Sequence, residues 1–179
     1  MKCLLAAFVL FSFQTDKPWK IRITTESEPG IPMIVAGKVV DQRSAPVPGV
    51  KVYVYHTGAD GLYQTKGPDG RSLGGFRLNG TMWTNAEGKF EFRTIRPGPY
   101  PGSKSGEHFH FKLTEGGIPD HFARIDFFDD RPRNKLVVAV GKQGESSRYD
   151  TSFAWKEDKW KEDKETKGQR LDVVFRVTR

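Results

Sequence analysis

The sharpest signal for chemistry in this sequence is a pair of histidines, His108 and His110, that flank one phenylalanine. Residues two apart in a β-strand point to the same face of the sheet, so both imidazoles can reach one metal ion while Phe109 faces the other side. Tyr100 lies eight residues before His108, in a loop that has a proline on each side of it. The pattern favours a site with two imidazoles and a phenol. Histidines that serve only the core or the surface are the alternative.

The single cysteine, Cys3, limits the sulfur chemistry that this chain can perform. It lies in an apolar run over residues 3–13, which is too short to span a bilayer and is typical of a secretory signal. We therefore expect residues 1–15 to be a signal peptide, no membrane span, and a secreted or periplasmic protein. A buried N-terminal segment is the alternative. Removal of the leader would leave no cysteine, so any metal must be bound by nitrogen and oxygen atoms.

The formal charge of +7 raises the question of nucleic-acid binding. Lys and Arg, however, are spread along the chain among Asp and Glu, and the densest run, residues 155–167, alternates in sign. A well-mixed, solvated surface is therefore predicted instead of one basic face, and no nucleic acid is expected as a partner. The positive field would only modestly favour the approach of anionic aromatic acids.

Short alternating segments separated by turn residues predict an all-β protein. No stretch has a long helical periodicity. We expect a single domain with little helix, an antiparallel β-sandwich of the prealbumin-like kind, over residues 35–179, preceded by an extended arm over residues 16–34. Such a sandwich without chemistry, acting as a binding or spacer module, is the alternative at this point. The predicted strands cover residues 35–40, 50–55, 89–95, 108–113, 122–128, 136–140 and 171–177.

Four segments in this framework resemble the intradiol ring-cleavage dioxygenases, the family that contains the catechol and protocatechuate dioxygenases. They are the strand 46–54 with the following YHTGADGLY, the hairpin TNAEGKFEF, the turn TIRPGPYP and the strand EHFHF. The resemblance runs from about residue 35 to residue 130, and a weaker similarity continues to the C-terminus. It implies a β-sandwich enzyme that uses O2 to cleave a catechol-type ring and yields a muconate-type diacid.

The resemblance also implies one non-haem ferric ion, Fe(III), bound by Tyr63, Tyr100, His108 and His110. The Gly-Leu-Tyr segment that ends at Tyr63 matches the family's first tyrosine ligand, and Tyr55 stands where a tryptophan is usual. Hard Fe(III) suits this donor set, because it offsets the cost of deprotonating a phenol whose ordinary pKa is about 10. By resemblance, the catechol would chelate the iron and displace Tyr100, whose tyrosinate would accept a substrate proton.

Two positions depart from the family pattern. Ser105 stands where the family usually carries an arginine, three residues before its first histidine, and Arg124 stands where the next strand usually carries a glutamine. We hypothesise that Arg124 supplies the missing guanidinium and stabilises the developing anionic substrate. An arginine that points outward from its strand is the alternative. Lys104 is a weaker substitute because its loop is rich in glycine and serine.

The other histidines and tyrosines are assigned structural roles. His56 is predicted to be a hydrogen-bonded strand histidine and His121 a loop residue. Tyr53 and Tyr55 alternate on one face of their strand, so one of them is expected in the pocket and the other in the core.

The expected substrate is a catechol, a hydroxyquinol or a protocatechuate-like compound, together with O2, and the sequence leaves the oligomeric state open. Two rival functions use the same side chains. One is a non-catalytic β-sandwich binding module with a vestigial metal site, and the other is an iron- or copper-binding protein. Turnover of a substrate separates both rivals from the enzyme.

Overall fold

The computed structural model describes residues 17–64, 67–103, 106–126, 136–139, 141–142 and 168–178. Among these residues there are ten strands and no helix, which confirms the all-β prediction, and none of this part of the chain forms a membrane-spanning helix. The predicted leader 1–15, the charged run 155–167, Lys104 and Ser105 lie outside the described residues. The strands are β1 (Lys20–Arg22), β2 (Pro32–Val40), β3 (Val50–His56), β4 (Leu78–Trp83), β5 (Lys89–Ile95), β6 (His108–Glu115), β7 (His121–Asp126), β8 (Leu136–Ala139), β9 (Gly141–Lys142) and β10 (Gln169–Arg176).

The strands form two sheets of five strands each. The first sheet has the order β1-β5-β2-β10-β8, and the second has the order β4-β3-β6-β7-β9. Neighbouring strands of the second sheet are all antiparallel. In the first sheet, β1 is parallel to β5, and β10 is parallel to both β2 and β8. The predicted β-sandwich is confirmed, and its first sheet is mixed, which the alternation along single strands could not reveal.

Alternating side chains fill the core between the two sheets. In β3, Val50, Val52 and Val54 are buried, while the residues between them point to the outer face. Aromatic rings from both sheets meet in this core, where the centroids of Phe111 and Phe175 are 4.9 Å apart. Burying one such side chain contributes about 1.5–3 kcal/mol, so the period-two pattern determines which face each strand turns inward.

Seven of the strands match predicted segments to within a few residues at their ends, whereas β1, β4 and β9 were not predicted. β1 and the start of β2 fall within residues 16–34, the predicted arm. β9 has only two residues, and β4 contains Asn79 and Gly80, which have low strand propensity. A side chain at position 80 would overlap Ile21, so this glycine allows β1 to pack closely against β4.

His56 ends β3 with its imidazole fully buried. Its Nδ1 lies 2.8 Å from the carbonyl oxygen of Thr57, and its Nε2 lies 2.6 Å from Oγ1 of Thr94. Because a carbonyl oxygen only accepts, Nδ1 donates its proton and Nε2 accepts from the threonine hydroxyl group. The prediction that His56 is a hydrogen-bonded strand histidine is confirmed.

The prediction that His121 is a loop residue is wrong. β7 begins one residue earlier than expected, at His121, and the imidazole of this residue is buried and hydrogen-bonded.

Acid is expected to destabilise the fold through His56. Burial is the main cause that lowers its pKa from 6.5 to about 4. Between these values the unfolded chain binds a proton that the folded chain excludes, so the free energy of unfolding falls by up to about 3 kcal/mol as the pH drops. A His56→Gln variant cannot titrate and should lose this part of the pH dependence. Urea denaturation of both metal-free proteins at about pH 7 and about pH 4.5 measures it, and an equal pH dependence would contradict the expectation.

Candidate active site

The outer face of the second sheet positions both histidines of the motif. β6 turns Phe109 into the core, so His108 and His110 point to the opposite face, as strand alternation requires. The register sets Tyr55 of β3 on one side of His110 and Arg124 of β7 on the other. These side chains form the floor of the candidate site.

Two loops carry the tyrosines over this floor. Tyr63 belongs to the loop between β3 and β4, and Tyr100 belongs to the loop between β5 and β6. The backbone N–H of Gly98 donates to the carbonyl oxygen of Gly58 at 2.9 Å, and the hydroxyl group of Thr57 donates to the carbonyl oxygen of Gly98 at 2.7 Å. These hydrogen bonds join the two loops and thereby set the separation of the two phenols.

Gly61 brings the same two loops into direct contact. Its φ of 76° lies in the left-handed region, which glycine adopts without steric cost. A β-carbon at this position would overlap the carbonyl oxygen of Pro99 and approach Cδ of Pro101, and these prolines flank Tyr100. The Gly-Leu-Tyr segment therefore needs its glycine both for the backbone conformation and for the closeness of the neighbouring loop.

Three side-chain atoms converge between the loops and the sheet. The hydroxyl oxygen of Tyr63 lies 2.5 Å from that of Tyr100 and 3.2 Å from Nε2 of His108. The same Nε2 lies 2.9 Å from the hydroxyl oxygen of Tyr100. Atoms that bind one metal ion at about 2 Å are separated from one another by roughly 3 Å, as these three atoms are. The triangle thus has the dimensions of a metal site.

His108 is held in the tautomer that a metal ligand needs. Its Nδ1 lies 2.7 Å from the carbonyl oxygen of Gly106, which only accepts, so Nδ1 carries the proton and donates it. The unprotonated Nε2 then directs its lone pair toward the hydroxyl groups of Tyr63 and Tyr100. An outer hydrogen bond of this kind orients a histidine ligand and raises its basicity.

His110 lies beside this triangle in a stack of rings. Its imidazole stacks on Tyr55 with 4.7 Å between centroids, and Tyr55 stacks on Phe76 with 3.9 Å between centroids. The centroids of the two histidine rings are 4.8 Å apart. Burial, assisted by the charges of His108 and Arg124, lowers the pKa of His110 to about 4. The ring is therefore neutral near pH 7 and can offer a lone pair to a metal ion.

Tyr63 remains a neutral phenol near pH 7 unless a cation replaces its proton. Burial is the main cause that raises its pKa, and the hydrogen bond and charge of Tyr100 add to the effect, while Arg124 acts in the opposite direction. A bound metal ion would reverse this balance, because a metal–phenolate bond forms with release of the proton. The environment of Tyr63 therefore couples its ionisation to metal binding.

The donor set of this site fits a ferric ion. In the described part of the chain, no three His, Cys, Asp or Glu side chains form a group that could hold a metal, so a metal bound here would depend on the two phenols. Phenolate oxygens and imidazole nitrogens are hard or intermediate donors that suit Fe(III). The structure brings together all four side chains that were predicted as ligands, namely Tyr63, Tyr100, His108 and His110.

Arg124, the predicted substitute for the missing arginine, is held beside the site by Asp126. Its Nε and Nη2 lie 2.8 Å and 2.6 Å from Oδ1 of this carboxylate. The pair keeps the guanidinium on the face of the sheet that carries both histidines. After burial, which is the main cause, the charge of Arg124 contributes to lowering the pKa of His108 and of His110. Its electric field therefore acts within the site.

A pocket of about 570 Å³ opens against the two tyrosines. Its volume lies within the range of small-molecule sites, about 300–1,000 Å³. A ligand in this pocket would contact both phenols directly. Besides Tyr63 and Tyr100, the walls include Leu62, Gln64, Ser72, Phe76 and Pro101.

Three parts of the site differ from the sequence-based expectations. Tyr53 and Tyr55 both lie half-buried on the outer face of β3, so the expectation that one of them enters the core is wrong. The valines of β3 occupy the core face, and their alternation was the signal that could have shown this. Phe76 and Asp126 were not identified, because an isolated aromatic residue in a loop and an acid at a strand end have no distinctive sequence pattern.

Comparisons with known proteins show which proteins this chain is similar to. The intradiol ring-cleavage dioxygenase hqdA of Aspergillus niger is 28% identical over 160 residues, which covers 72% of this chain and 45% of that protein. Catechol 1,2-dioxygenase 1 of Acinetobacter lwoffii is 30% identical over 138 residues, which covers 76% of this chain and 43% of that protein. The chain therefore spans less than half the length of these two curated relatives.

A solved structure and a family model extend the similarity to most of the chain. The dioxygenase domain of a dioxygenase carbohydrate-binding protein fusion from the cellulolytic bacterium Streptomyces sp. SirexAA-E has a TM-score of 0.56 and 26% identity, and the match covers 93% of this chain and 91% of that domain. The family model described as "Dioxygenase" matches residues 11–139, more than half of the chain. With these matches and the four converging side chains, the chain belongs to the intradiol ring-cleavage dioxygenase family.

Proposed function

We propose that this protein cleaves a catechol-type ring between its two hydroxylated carbons, with O2 as the oxidant. In this reaction the carbon–carbon bond breaks, both atoms of O2 enter the product, and a muconate-type diacid forms. The observation that carries the proposal is the convergence of two phenol oxygens and one imidazole nitrogen within 3.2 Å, in a chain of this family. One ferric ion would be bound by Tyr63, Tyr100, His108 and His110.

Each of these side chains has a task that its surroundings support. A ferric ion, when bound, would supply a Lewis acid that binds the diol and prepares the ring for O2. Tyr100 lines the pocket and lies within hydrogen-bonding distance of Tyr63 and His108, and the resemblance to the family assigns to it the task of taking a proton from a substrate hydroxyl. His108 would keep its orientation through its hydrogen bond to Gly106.

Arg124 is proposed to stabilise the negative charge that develops on the substrate, in place of an arginine at position 105. We expect Arg124→Gln to lower kcat/KM for catechol by about a hundredfold, the effect of removing one donor to a developing anion. The matched control is Arg170→Gln, because Arg170 forms the same kind of pair with Asp172, two residues further along a strand of the other sheet. Turnover by Arg124→Gln as fast as that of the parent protein would refute this role.

The visible absorption spectrum of the iron-loaded protein tests the proposed function. Tyrosinate bound to ferric iron should give a red-brown charge-transfer band, which catechol added without air should shift to longer wavelength. Admission of air should bleach the shifted band as the ring is cleaved. A band that never responds to catechol would favour an iron-binding protein. A colourless protein that retains iron would exclude both tyrosines as ligands.

We also propose that the protein acts outside the cytoplasm, as a secreted or periplasmic enzyme. The support is the apolar run over residues 3–13, which has the length of a signal sequence. The molecular mass of the protein isolated from its source should be smaller than that of the full sequence by the mass of the removed N-terminal residues. A molecular mass equal to that of the full sequence would contradict export by this route.

A further inference from the structure

We propose that the pocket takes a catechol that carries a large, uncharged, apolar substituent, and that Leu62 and Phe76 select it. This inference rests on the proposed ring cleavage and specifies its substrate class. It follows from the volume of the pocket, from the charges around it and from its exposed apolar side chains.

The pocket is larger than a single-ring diol requires. Its volume is about 570 Å³, near the middle of the range of about 300–1,000 Å³ that accommodates drug-sized ligands. One water molecule occupies about 30 Å³ of the liquid, so the pocket has room for on the order of 20 waters. An unsubstituted catechol would leave much of this volume to water. A substituent with at least one further ring would fill it.

The charges of the described residues around the pocket disfavour an acidic substituent. None of the described residues that line the pocket carries a formal charge. Arg77, which follows the lining residue Phe76, donates to both carboxylate oxygens of Glu28, at 2.7 Å and 2.9 Å. A carboxylate on the substrate would have to compete with Glu28 for the guanidinium group of Arg77. Each described cation of the two tyrosine loops and β7 is paired with a carboxylate: Arg71 with Asp69, Arg77 with Glu28, Arg96 with Glu107, and Arg124 with Asp126.

Phe76 is held as a fixed wall of the pocket. It stacks on Tyr55 with 3.9 Å between centroids and 16° between planes, and its ring meets Tyr63 edge to face at 5.3 Å. Phe76 is nevertheless 38% exposed. Since its orientation is already set, an aromatic substituent can pack against its free surface without first ordering it. Tyr63 and Tyr100 line the same pocket as this wall, so a diol bound beside the two phenols has the wall within the same cavity.

Exposed apolar side chains are concentrated on the loop between β3 and β4. Leu62 and Leu73 are 36% and 70% exposed and lie on the same loop as Phe76. In the described part of the chain, these three are among only five large apolar residues that are exposed. Leu62 and Phe76 are thus both exposed and at the same pocket, which is the arrangement of a ligand-binding groove. An apolar substituent would cover Leu62 and Phe76, which both line the pocket.

The test is an anaerobic optical titration of the iron-loaded protein with three probes: catechol, catechol with a phenyl group para to one hydroxyl, and catechol with a carboxylate at that position. The shift of the charge-transfer band gives a dissociation constant without turnover. We expect the phenyl compound to bind about ten- to a hundredfold more tightly than catechol, which is the gain from burying one aromatic ring. The carboxylate compound should gain nothing over catechol.

Two variants and one control assign the selectivity to the wall. Phe76→Ala and, independently, Leu62→Ala should each reduce the ratio of catechol to phenylcatechol dissociation constants by about threefold or more, through lost apolar contact. Ile31→Ala is the control, because Ile31 is 48% exposed but does not line the pocket. A smaller than tenfold preference for the phenyl compound in the parent protein, or tightest binding of the carboxylate, would overturn the inference. A band that catechol itself does not shift would instead overturn the proposed function.

Discussion

Replacement of Tyr63 by phenylalanine is expected to weaken the charge-transfer band, because Tyr100 remains as the second tyrosine ligand, and to lower kcat/KM for catechol at least about a hundredfold. The variant deletes one corner of the triangle that Tyr63 forms with Tyr100 and His108. Replacement of a residue that only hydrogen-bonds to a metal ligand typically lowers metal affinity or activity by about 10–100-fold. Replacement of a direct ligand should lower them by at least as much. Phenylalanine keeps the ring that packs 5.3 Å from Phe76 and 5.8 Å from Tyr55, so the fold should persist.

The matched control for this experiment is Tyr53→Phe. Tyr53 lies on the same outer face of the second sheet, and its ring is 5.8 Å from that of Tyr55, but its hydroxyl group is not part of the triangle. Bound iron, measured by elemental analysis, and the visible spectrum should be unchanged in this variant. Iron content, band intensity and turnover that are all unchanged in Tyr63→Phe would show that the ferric site has been wrongly assigned.

Replacement of Gly61 by alanine is expected to impair the site although this residue has no side-chain donor. A β-carbon would overlap the carbonyl oxygen of Pro99, and the positive φ adds strain of about 1–3 kcal/mol. Overpacking adds typically about 1–3 kcal/mol. Part of this energy can be relieved if the loops move apart, which would separate Tyr63 from Tyr100. We therefore expect at least about a tenfold loss of iron affinity and a weaker charge-transfer band.

Gly74→Ala separates backbone strain from the contact between the loops. Gly74 lies on the same loop with a φ of 77°, and a β-carbon there would have no atom within 4 Å. This variant should lose stability in urea denaturation, by about 1–3 kcal/mol, without a loss of iron affinity. If Gly61→Ala and Gly74→Ala bound iron equally well, contact between the loops would not be what sets the distance between the phenols.

Sequence alone predicted the β-sandwich and singled out the two histidines and two tyrosines that meet at the candidate site. The valines of β3 and the phenylalanines of β6 alternate with outward residues, and this local period is enough to identify strands and their buried faces. The same rule assigned His108 and His110 to one face. The family motifs singled out Tyr63 and Tyr100, because each lies in a short segment rich in glycine or proline.

Only the tertiary structure decided how these side chains meet and what surrounds them. Tyr63 and Tyr100 are 37 residues apart, and their contact depends on hydrogen bonds between two loops and on the close approach at Gly61. Two further features also depend on contacts between distant segments: the stacking of Phe76 on Tyr55 and the parallel pairing of β10 with β2. Period-two patterns report which face of a strand is buried, but they carry no information about which distant segment lies against that face.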